Sequence, residues 1–295
     1  MPRPRFGTGL PAIQQIPSRV RPWEKAVGGA EILDAARAAE AAGFDWVACS
    51  DHPAIPASRA EAMGATWYDA GSTLAFVAGV TTRLRLCSHV LVVPYRHPLV
   101  VAKQYGTLDH LSGGRVILGV GSGHLKPEFL SVGADYDARG KVTDEYLRAL
   151  AAAWEQDVAS FQGERIAFRD VLVRPRPAQS PRPPIWVGGN SRAALRRAAT
   201  LGEGFVPWQL TPDEFATLAA EARRLREQAG RTTPLECVAP LAAPADATAD
   251  AVVAEAHRWR TAGATAFHVG VGAESWAQYL DRLAWLGRDV FPRVD

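Results

Sequence analysis

Short apolar runs and helical apolar stripes alternate along the whole chain. Residues 6–13 form a short, glycine-rich apolar run. A loop containing proline and arginine leads from it to an alanine-rich helical stretch over 31–42, which Gly43 ends. Residues 44–49 read as a buried strand, since the apolar positions run on instead of alternating. A helix is expected over 69–80, where Leu74, Val77 and Ala78 recur at three- and four-residue spacing. Residues 84–93 are the third strand and 99–111 its helix. The fourth strand, 116–120, is dense in β-branched residues.

The same alternation resumes further on. Val142, Tyr146, Leu150 and Trp154 repeat every four residues and predict a helix, after which 161–173 alternates weakly and reads as a hairpin excursion. A proline-rich segment, 174–184, precedes a fifth strand at 185–187, a helix at 192–201 and a sixth strand at 204–208. In the helix over 212–229, Phe215, Leu218, Ala222, Leu225 and Ala229 are spaced 3, 4, 3, 4. A strand at 235–241, a helix at 250–262 and a strand at 266–271 follow. Trp276, Tyr279, Leu283, Leu286 and Val290 mark a closing amphipathic helix. Eight mostly continuous apolar strands, each followed by a helix, predict an α/β fold: a (β/α)8 TIM barrel with insertions at its C-terminal face. An open doubly wound sheet is the alternative. Four strands precede the proline-rich segment and four follow, so it reads as an inserted loop inside one domain spanning 1–295.

Composition narrows the class. With 47% hydrophobic and 22% charged residues over 295 positions, a disordered or fibrous chain is excluded. Lys plus Arg (33) nearly balances Asp plus Glu (31), and a net charge of +2 gives no reason to expect nucleic acid or an anionic membrane as partner. No stretch of about 18 apolar residues occurs, and Met1-Pro2-Arg3-Pro4-Arg5 leads into no signal-type apolar region. Cys49, Cys87 and Cys237 share no Cys-x-x-Cys spacing, which argues against a zinc site or disulfide framework and fits a cytoplasmic protein.

In such a barrel the loops leaving the strands carry the chemistry, and the loops entering them serve stability. Ser112-Gly113-Gly114-Arg115 enters the fourth strand and reads as a helix C-cap and turn. Gly121-Ser122-Gly123-His124 leaves that strand, and Gly188-Gly189-Asn190-Ser191 leaves the fifth into a helix. The latter can present free backbone N–H groups to a phosphate, or can simply cap the helix after a tight turn. Asp51-His52 directly follows the second strand, where a carboxylate beside an imidazole can set a proton donor near neutral pH or bond the edge of a heterocycle; a plain loop cap is the alternative. His97 and His110 read as structural and His257 as solvated, while His124 and His268 are candidates to line the pocket. No nucleophile elbow, metal-ligand spacing or Rossmann fingerprint is present, so the chemistry is expected to come from a bound organic cofactor.

Taken together, several segments resemble the bacterial luciferase-like monooxygenase superfamily. They are Asp51-His52, Thr82-Arg83-Leu84-Arg85-Leu86 into Ser88-His89-Val90 and His97-Pro98, Leu108 to Arg115 with Gly119 to Gly123, and Trp186-Val187-Gly188-Gly189-Asn190. Within that superfamily the chain is similar to the branch that uses the deazaflavin coenzyme F-420. The resemblance implies an oxidoreductase that moves a hydride between F-420 and a small organic substrate. An FMN-dependent monooxygenase and a non-catalytic flavin- or F-420-binding barrel are the alternatives. It also implies that Asp51 and His52 contact the ring edge, with His52 as proton donor or acceptor, and that a non-proline cis peptide at Ser88-His89 forms a bulge behind the ring. Gly121, Ser122 and Gly123 would line the pocket, and Gly188, Gly189 and Asn190 would bind the coenzyme phosphate. Lys126, Arg192 and Arg196 are candidate contacts for an oligoglutamate tail, and a homodimer is common in such a family. Members that oxidise sugar phosphates carry a carboxylate directly after the fourth-strand glycines. Here His124 stands in that place, which argues against glucose 6-phosphate. Trp67, Tyr68, Phe129 and Tyr136 are aromatic candidates for the substrate walls.

Overall fold

Strand follows helix as the apolar pattern predicts, and the strands close on themselves. The structure is a computed structural model that describes residues 3–294; Met1 and Pro2 of the N-terminal segment lie outside the described residues. The first half contains β1 (Arg5–Gly9), α1 (Gly29–Ala41), β2 (Trp46–Cys49), α2 (Ala60–Met63), α3 (Ala70–Ala78), β3 (Arg85–Ser88), β4 (Leu91–Val92), α4 (Pro98–Leu111) and β5 (Val116–Gly121). Then come α5 (Lys126–Ser131), α6 (Arg139–Glu155) and an antiparallel hairpin of β6 (Ala159–Gln162) and β7 (Ala167–Val171) that pairs Phe161 with Phe168. The second half contains β8 (Ile185–Gly188), α7 (Arg192–Leu201), β9 (Gly204–Val206), α8 (Pro212–Gln228), β10 (Glu236–Ala243), α9 (Ala249–Thr261), β11 (Ala266–Val271) and α10 (Trp276–Trp285).

The sheet runs β3-β2-β1-β11-β10-β9-β8-β5, with β4 beside β5, and the β3–β5 pairing closes the circle through Leu86 opposite Val116. This closure makes a (β/α)8 barrel and excludes the open doubly wound sheet. The short helices α2 and α5 fall in stretches where the sequence pattern predicts no element, and two predicted elements are altered. The third strand is interrupted between Ser88 and Leu91, where the chain leaves the ladder as a bulge. The last helix stops at Trp285 and passes into a π turn, Leu286–Val290, at the point where a Cβ on Gly287 would lie 2.0 Å from the Ala42 carbonyl oxygen. Among the described residues, no helix is long and apolar enough to cross a membrane.

The lower barrel interior is solid. Trp46, Ala48, Cys87, Ile117, Trp186, Val206, Val238 and Ala266 form one buried cluster, with the Trp46 and Trp186 rings edge to face at 5.1 Å. The two indoles fit because Gly7 and Gly204 carry no side chain: a Cβ there would fall 1.9 Å and 2.3 Å from the rings. Arg5 and Glu236 pair beneath them. On the same lower face the Ser112-Gly113-Gly114-Arg115 turn is the expected cap. Gly114 N–H donates to the Asp109 carbonyl, and the Arg115 guanidinium donates to Thr81, Leu84 and Ala78. The lower end is therefore taken up by packing and structural bonds.

Candidate functional site

Strand alternation continues the inward-facing rows upward from the tryptophan layer. In β10 the row after Val238 is Pro240 and Ala242, and in β11 the row after Ala266 is His268 and Gly270. Pro240, Ala242 and Gly270 are exposed although they face the barrel axis, so the mouth is open along β10, β11 and β1. A Cβ on Gly9 or Gly270 would meet nothing nearer than 3.9 Å or 4.0 Å. The opposite side is filled. A Cβ on Gly119 would fall 1.9 Å from the Ser88 carbonyl oxygen, and one on Gly121 or Gly188 would meet Val90 at 2.8 Å or 3.0 Å. Those glycines let the bulge after β3 lean across the barrel. The result is a slot at the mouth, open beside Gly9, Pro240, Ala242 and Gly270 and filled by the bulge on the opposite side.

The bulge contains a non-proline cis peptide at His89-Val90, one bond beyond the expected Ser88-His89. The shift has a local reason. Ser88 still belongs to the ladder opposite Cys49, and its buried Oγ donates to the Gly119 carbonyl at 2.8 Å, so the chain departs only after it.

At the rim beyond β2, His52 is wired to a carboxylate absent from the sequence expectation. Glu128, fully buried in the short helix α5, accepts from the His52 ring at Nδ1 (2.9 Å), from the Tyr95 hydroxyl (2.8 Å) and from the Ala54 N–H (3.3 Å). Burial alone raises the Glu128 carboxyl. The hydrogen bonds from His52 and Tyr95 outweigh it and hold the group below its ordinary value. Burial and the Glu128 carboxylate together push the Tyr95 phenol up, so it remains a donor. An ionised Glu128 only accepts, which places the Nδ1 proton on His52 and leaves Nε2 on the far edge of the ring. Trp67 lies edge-on to the same ring at 4.4 Å, and His124 stands 6.2 Å away. Burial lowers His124, helped by the nearby His52.

Asp51 is spent elsewhere. One carboxylate oxygen takes the Arg96 guanidinium at 2.7 Å, and the other takes Arg96 at 2.8 Å together with the Val92 N–H at 3.0 Å. Asp51 therefore fastens the loop after β2 to the far end of the bulge. Burial lowers Arg96, but the bond to Asp51 more than restores it.

The second histidine cluster sits on the barrel axis. The rings of His89 and His268 stack at 4.3 Å with 22° between their planes. Burial lowers His89 to about 4. It also lowers His268 well below its usual value, with His89 adding to the effect. The Nδ1 of His268 is buried without a hydrogen-bond partner among the described residues.

The glycine loops carry less polar function than their composition suggests. Gly123 is excluded from bearing a side chain by Phe129 and Val92, each 2.7 Å from its Cβ position, and Ser122 is half-buried between the two glycines. Gly189 N–H donates to the Val206 carbonyl. The Asn190 amide clamps the backbone of Trp208, donating to its carbonyl at 2.7 Å and accepting from its N–H at 3.1 Å, and Ser191 caps α7. The Asn190 side chain thus holds an exposed tryptophan at the rim. Arg196 is paired with Asp144, Lys126 lies 3.9 Å from Asp137, and Arg192 is exposed. Of the aromatic candidates, Trp67 touches His52 and Phe129 is buried against Tyr95 and Tyr136. Tyr136 is covered by the Arg139 guanidinium, and Tyr68 packs on the core. His97 caps α4, His110 bonds the Arg176 carbonyl and His257 is exposed, so none of these enters the mouth.

Tyr95, Arg96 and Glu128 were not legible as site residues. Glu128 follows a lysine and a proline at the start of a helix, the usual setting of a solvated first-turn acid. Nothing in the local sequence announces its burial.

Among the described residues no group of His, Cys, Asp and Glu could hold a metal ion. The family model described as luciferase-like monooxygenase matches residues 14–288. An uncharacterized protein of Mycobacterium tuberculosis is 37% identical over 213 residues, 68% of this chain and 73% of that one. An FMNH2-dependent dimethylsulfone monooxygenase of Pseudomonas putida is 37% identical over 128 residues, covering 42% of this chain and 35% of its own length. Among solved structures, an F-420-dependent secondary alcohol dehydrogenase in complex with an F-420–acetone adduct superposes with a TM-score of 0.80 at 16% identity, over 99% of both chains.

Proposed function

The chain belongs to the luciferase-like monooxygenase family, and from that premise we propose that it is an oxidoreductase moving a hydride between coenzyme F-420 and a small organic substrate. The open side of the mouth supports the reading: Gly9, Pro240, Ala242 and Gly270 are uncharged and small, and a Cβ on either glycine would meet nothing nearer than 3.9 Å. When bound, the deazaflavin ring would supply the hydride donor or acceptor. Ser88, His89, Val90, Gly121 and Gly188 would back the ring. Rim groups such as the Gly189 loop, Arg192 and Lys126 are the candidates to hold its charged tail.

One observation carries the reading. His52 has its Nδ1 proton fixed by a buried, ionised Glu128, and its Nε2 has no protein hydrogen-bond partner among the described residues. A hydride moved to or from an alcohol–carbonyl pair needs a matching proton at the oxygen, and an imidazole whose tautomer is fixed by a buried carboxylate can provide it. In this reading His52 is the catalytic acid–base group. Glu128 positions it, Tyr95 holds Glu128, and Asp51 with Arg96 fixes the loop that carries His52. The three cysteines are free and buried, consistent with a cytoplasmic setting.

The similarity to the FMNH2-dependent dimethylsulfone monooxygenase favours a second reading, a monooxygenase that takes reduced FMN. Anaerobic titration of the protein with F-420 and with FMN, in both oxidation states, separates the two. Tighter binding of F-420 is expected, whereas tighter binding of reduced FMN, with oxygen uptake coupled to product, would establish the second reading instead.

A further inference from the structure

The stretch between β5 and α6 is fastened to the barrel by side chains alone. From 124 to 138 only Leu125, Glu128 and Phe129 are buried, while Lys126, Pro127, Leu130 and Ser131 around them are exposed. Among the described residues, every backbone–backbone hydrogen bond made by this stretch stays inside it or runs on into α6. Its polar ties to the rest of the chain are the three bonds accepted by Glu128, from His52, Tyr95 and Ala54, and one exposed pair between Asp135 and Arg165. Phe129 supplies the apolar contact. Its ring stands edge-on to Tyr95 at 4.6 Å and covers Gly123, where a Cβ would lie 2.7 Å from it. Gly123 and Gly133 bound the short helix, with φ of 74° and 70°. Segments held by few buried contacts are the ones that open locally while the rest of a fold stays shut.

We propose that residues 124–133 are a lid, latched by Glu128 and Phe129, whose closing delivers the carboxylate to His52 and so assembles the acid–base site. Glu128 suits a reversible latch. Shut, its carboxylate has three donors; open, water satisfies the same oxygens, so neither state leaves a buried charge unpaired. The loop that carries His52 is fastened separately, through Asp51 to Arg96. Opening therefore takes the Nδ1 partner from His52 and leaves that loop held. Phe129 is a positioning residue, because it acts on His52 through Glu128 and does not touch the ring. A lid of this kind admits ligands when open and completes the site when shut. The inference rests on the proposed oxidoreductase for calling His52 the acid–base group, whereas the opening itself needs no cofactor.

The test is hydrogen–deuterium exchange of the full, cofactor-free chain, read by mass spectrometry over 124–133, β5 and α6. In the unaltered protein the lid amides are expected to exchange faster than those of β5 and α6 and slower than an unstructured peptide. Tyr95→Phe removes one donor of the latch and should speed the lid about tenfold, with β5 and α6 unchanged. Phe129→Ala should speed it on the order of 10^2-fold. Although Glu128 is still present in Phe129→Ala, the ring 15N signals of His52, assigned with His52→Ala, should move to where Glu128→Ala puts them. The inference is overturned if the lid opens only together with β5 and α6, if it is never protected, if either variant leaves its rate unchanged, or if the His52 signals stay in place while the lid opens in Phe129→Ala. Should Phe129→Ala fail to fold, Tyr95→Phe decides between a latched lid and a fixed segment. Absence of F-420 binding in the cofactor titration would sink the oxidoreductase reading and leave the exchange result standing, so the two failures are separable.

Discussion

Two histidine sites share one barrel mouth, and they are built on opposite electrostatic plans. His52, on the loop after β2, is tied at Nδ1 to a buried carboxylate whose charge is stabilised by three donors. His89 and His268, on the bulge and on β11, stack on each other, and among the described residues no protein group hydrogen-bonds the buried Nδ1 of His268. The first arrangement fixes a tautomer and leaves Nε2 as the nitrogen not taken by the carboxylate. The second depresses both rings and keeps them neutral. What an imidazole does here is decided by whether an ionised carboxylate reaches it, and residue type alone does not say so.

The comparison breaks most clearly at His52. His52→Ala is expected to lower turnover of the loaded enzyme by about 10^2- to 10^4-fold, the usual range for a lost general acid–base group, with cofactor affinity little changed. Glu128→Gln should cost less and should displace the pH–rate profile, a readout that a merely structural role for Glu128 would leave unmoved. An unchanged profile would remove Glu128 from the mechanism.

Arg96→Leu tests the scaffold beneath that site. It leaves Asp51 buried with the Val92 N–H as its one remaining donor, and a loss of about 3–5 kcal/mol in urea unfolding is expected. The Asp51→Asn/Arg96→Leu double variant should recover part of it. Strict additivity of the two changes would mean that the pair is not coupled.

The neutral pair is tested by acid. His89 has a folded value of about 4, below its ordinary unfolded value, so the unfolded chain takes up the proton first. Stability is complete above the unfolded value near pH 6.5 and is lost as the pH falls toward the folded value. For His89 alone this loss is on the order of 3 kcal/mol. His89→Phe should flatten the fall in unfolding free energy across that window, and equal slopes in the two proteins would show that His89 is not held neutral. Glu128, held below its ordinary value, works at lower pH: its contribution is present above the unfolded carboxyl value and disappears below it.

The smallest effect is expected at the rim. Asn190→Ala removes the two bonds that hold the Trp208 backbone and should cost about 1 kcal/mol. It should also shift the emission of the exposed Trp208 in the absence of any cofactor. If Asn190 serves chiefly a phosphate, the emission will stay as it is and cofactor affinity will fall instead.

Apolar periodicity along the chain is enough to specify the barrel. Continuous apolar strands demand cover, helical stripes supply it, and eight repeats of the pair close a circle. The helix over Arg192–Leu201 and the strand over Ala266–Val271 were legible to the residue because their apolar periods and caps are local. The places of Asp51-His52 and the glycine runs were legible as well, since they sit where strands end. Which side chains pair with which follows from the closed barrel. Asp51 lies next to His52 in the chain yet bonds Arg96, 45 residues away, and His52 takes its carboxylate from Glu128, 76 residues on. His89 meets His268 only because the bulge crosses the barrel, and it crosses because Gly119, Gly121 and Gly188 leave room on strands distant in sequence. Periodicity is a property of neighbours along the chain, whereas burial and charge pairing are properties of neighbours in space, and only the closed barrel brings the second kind together.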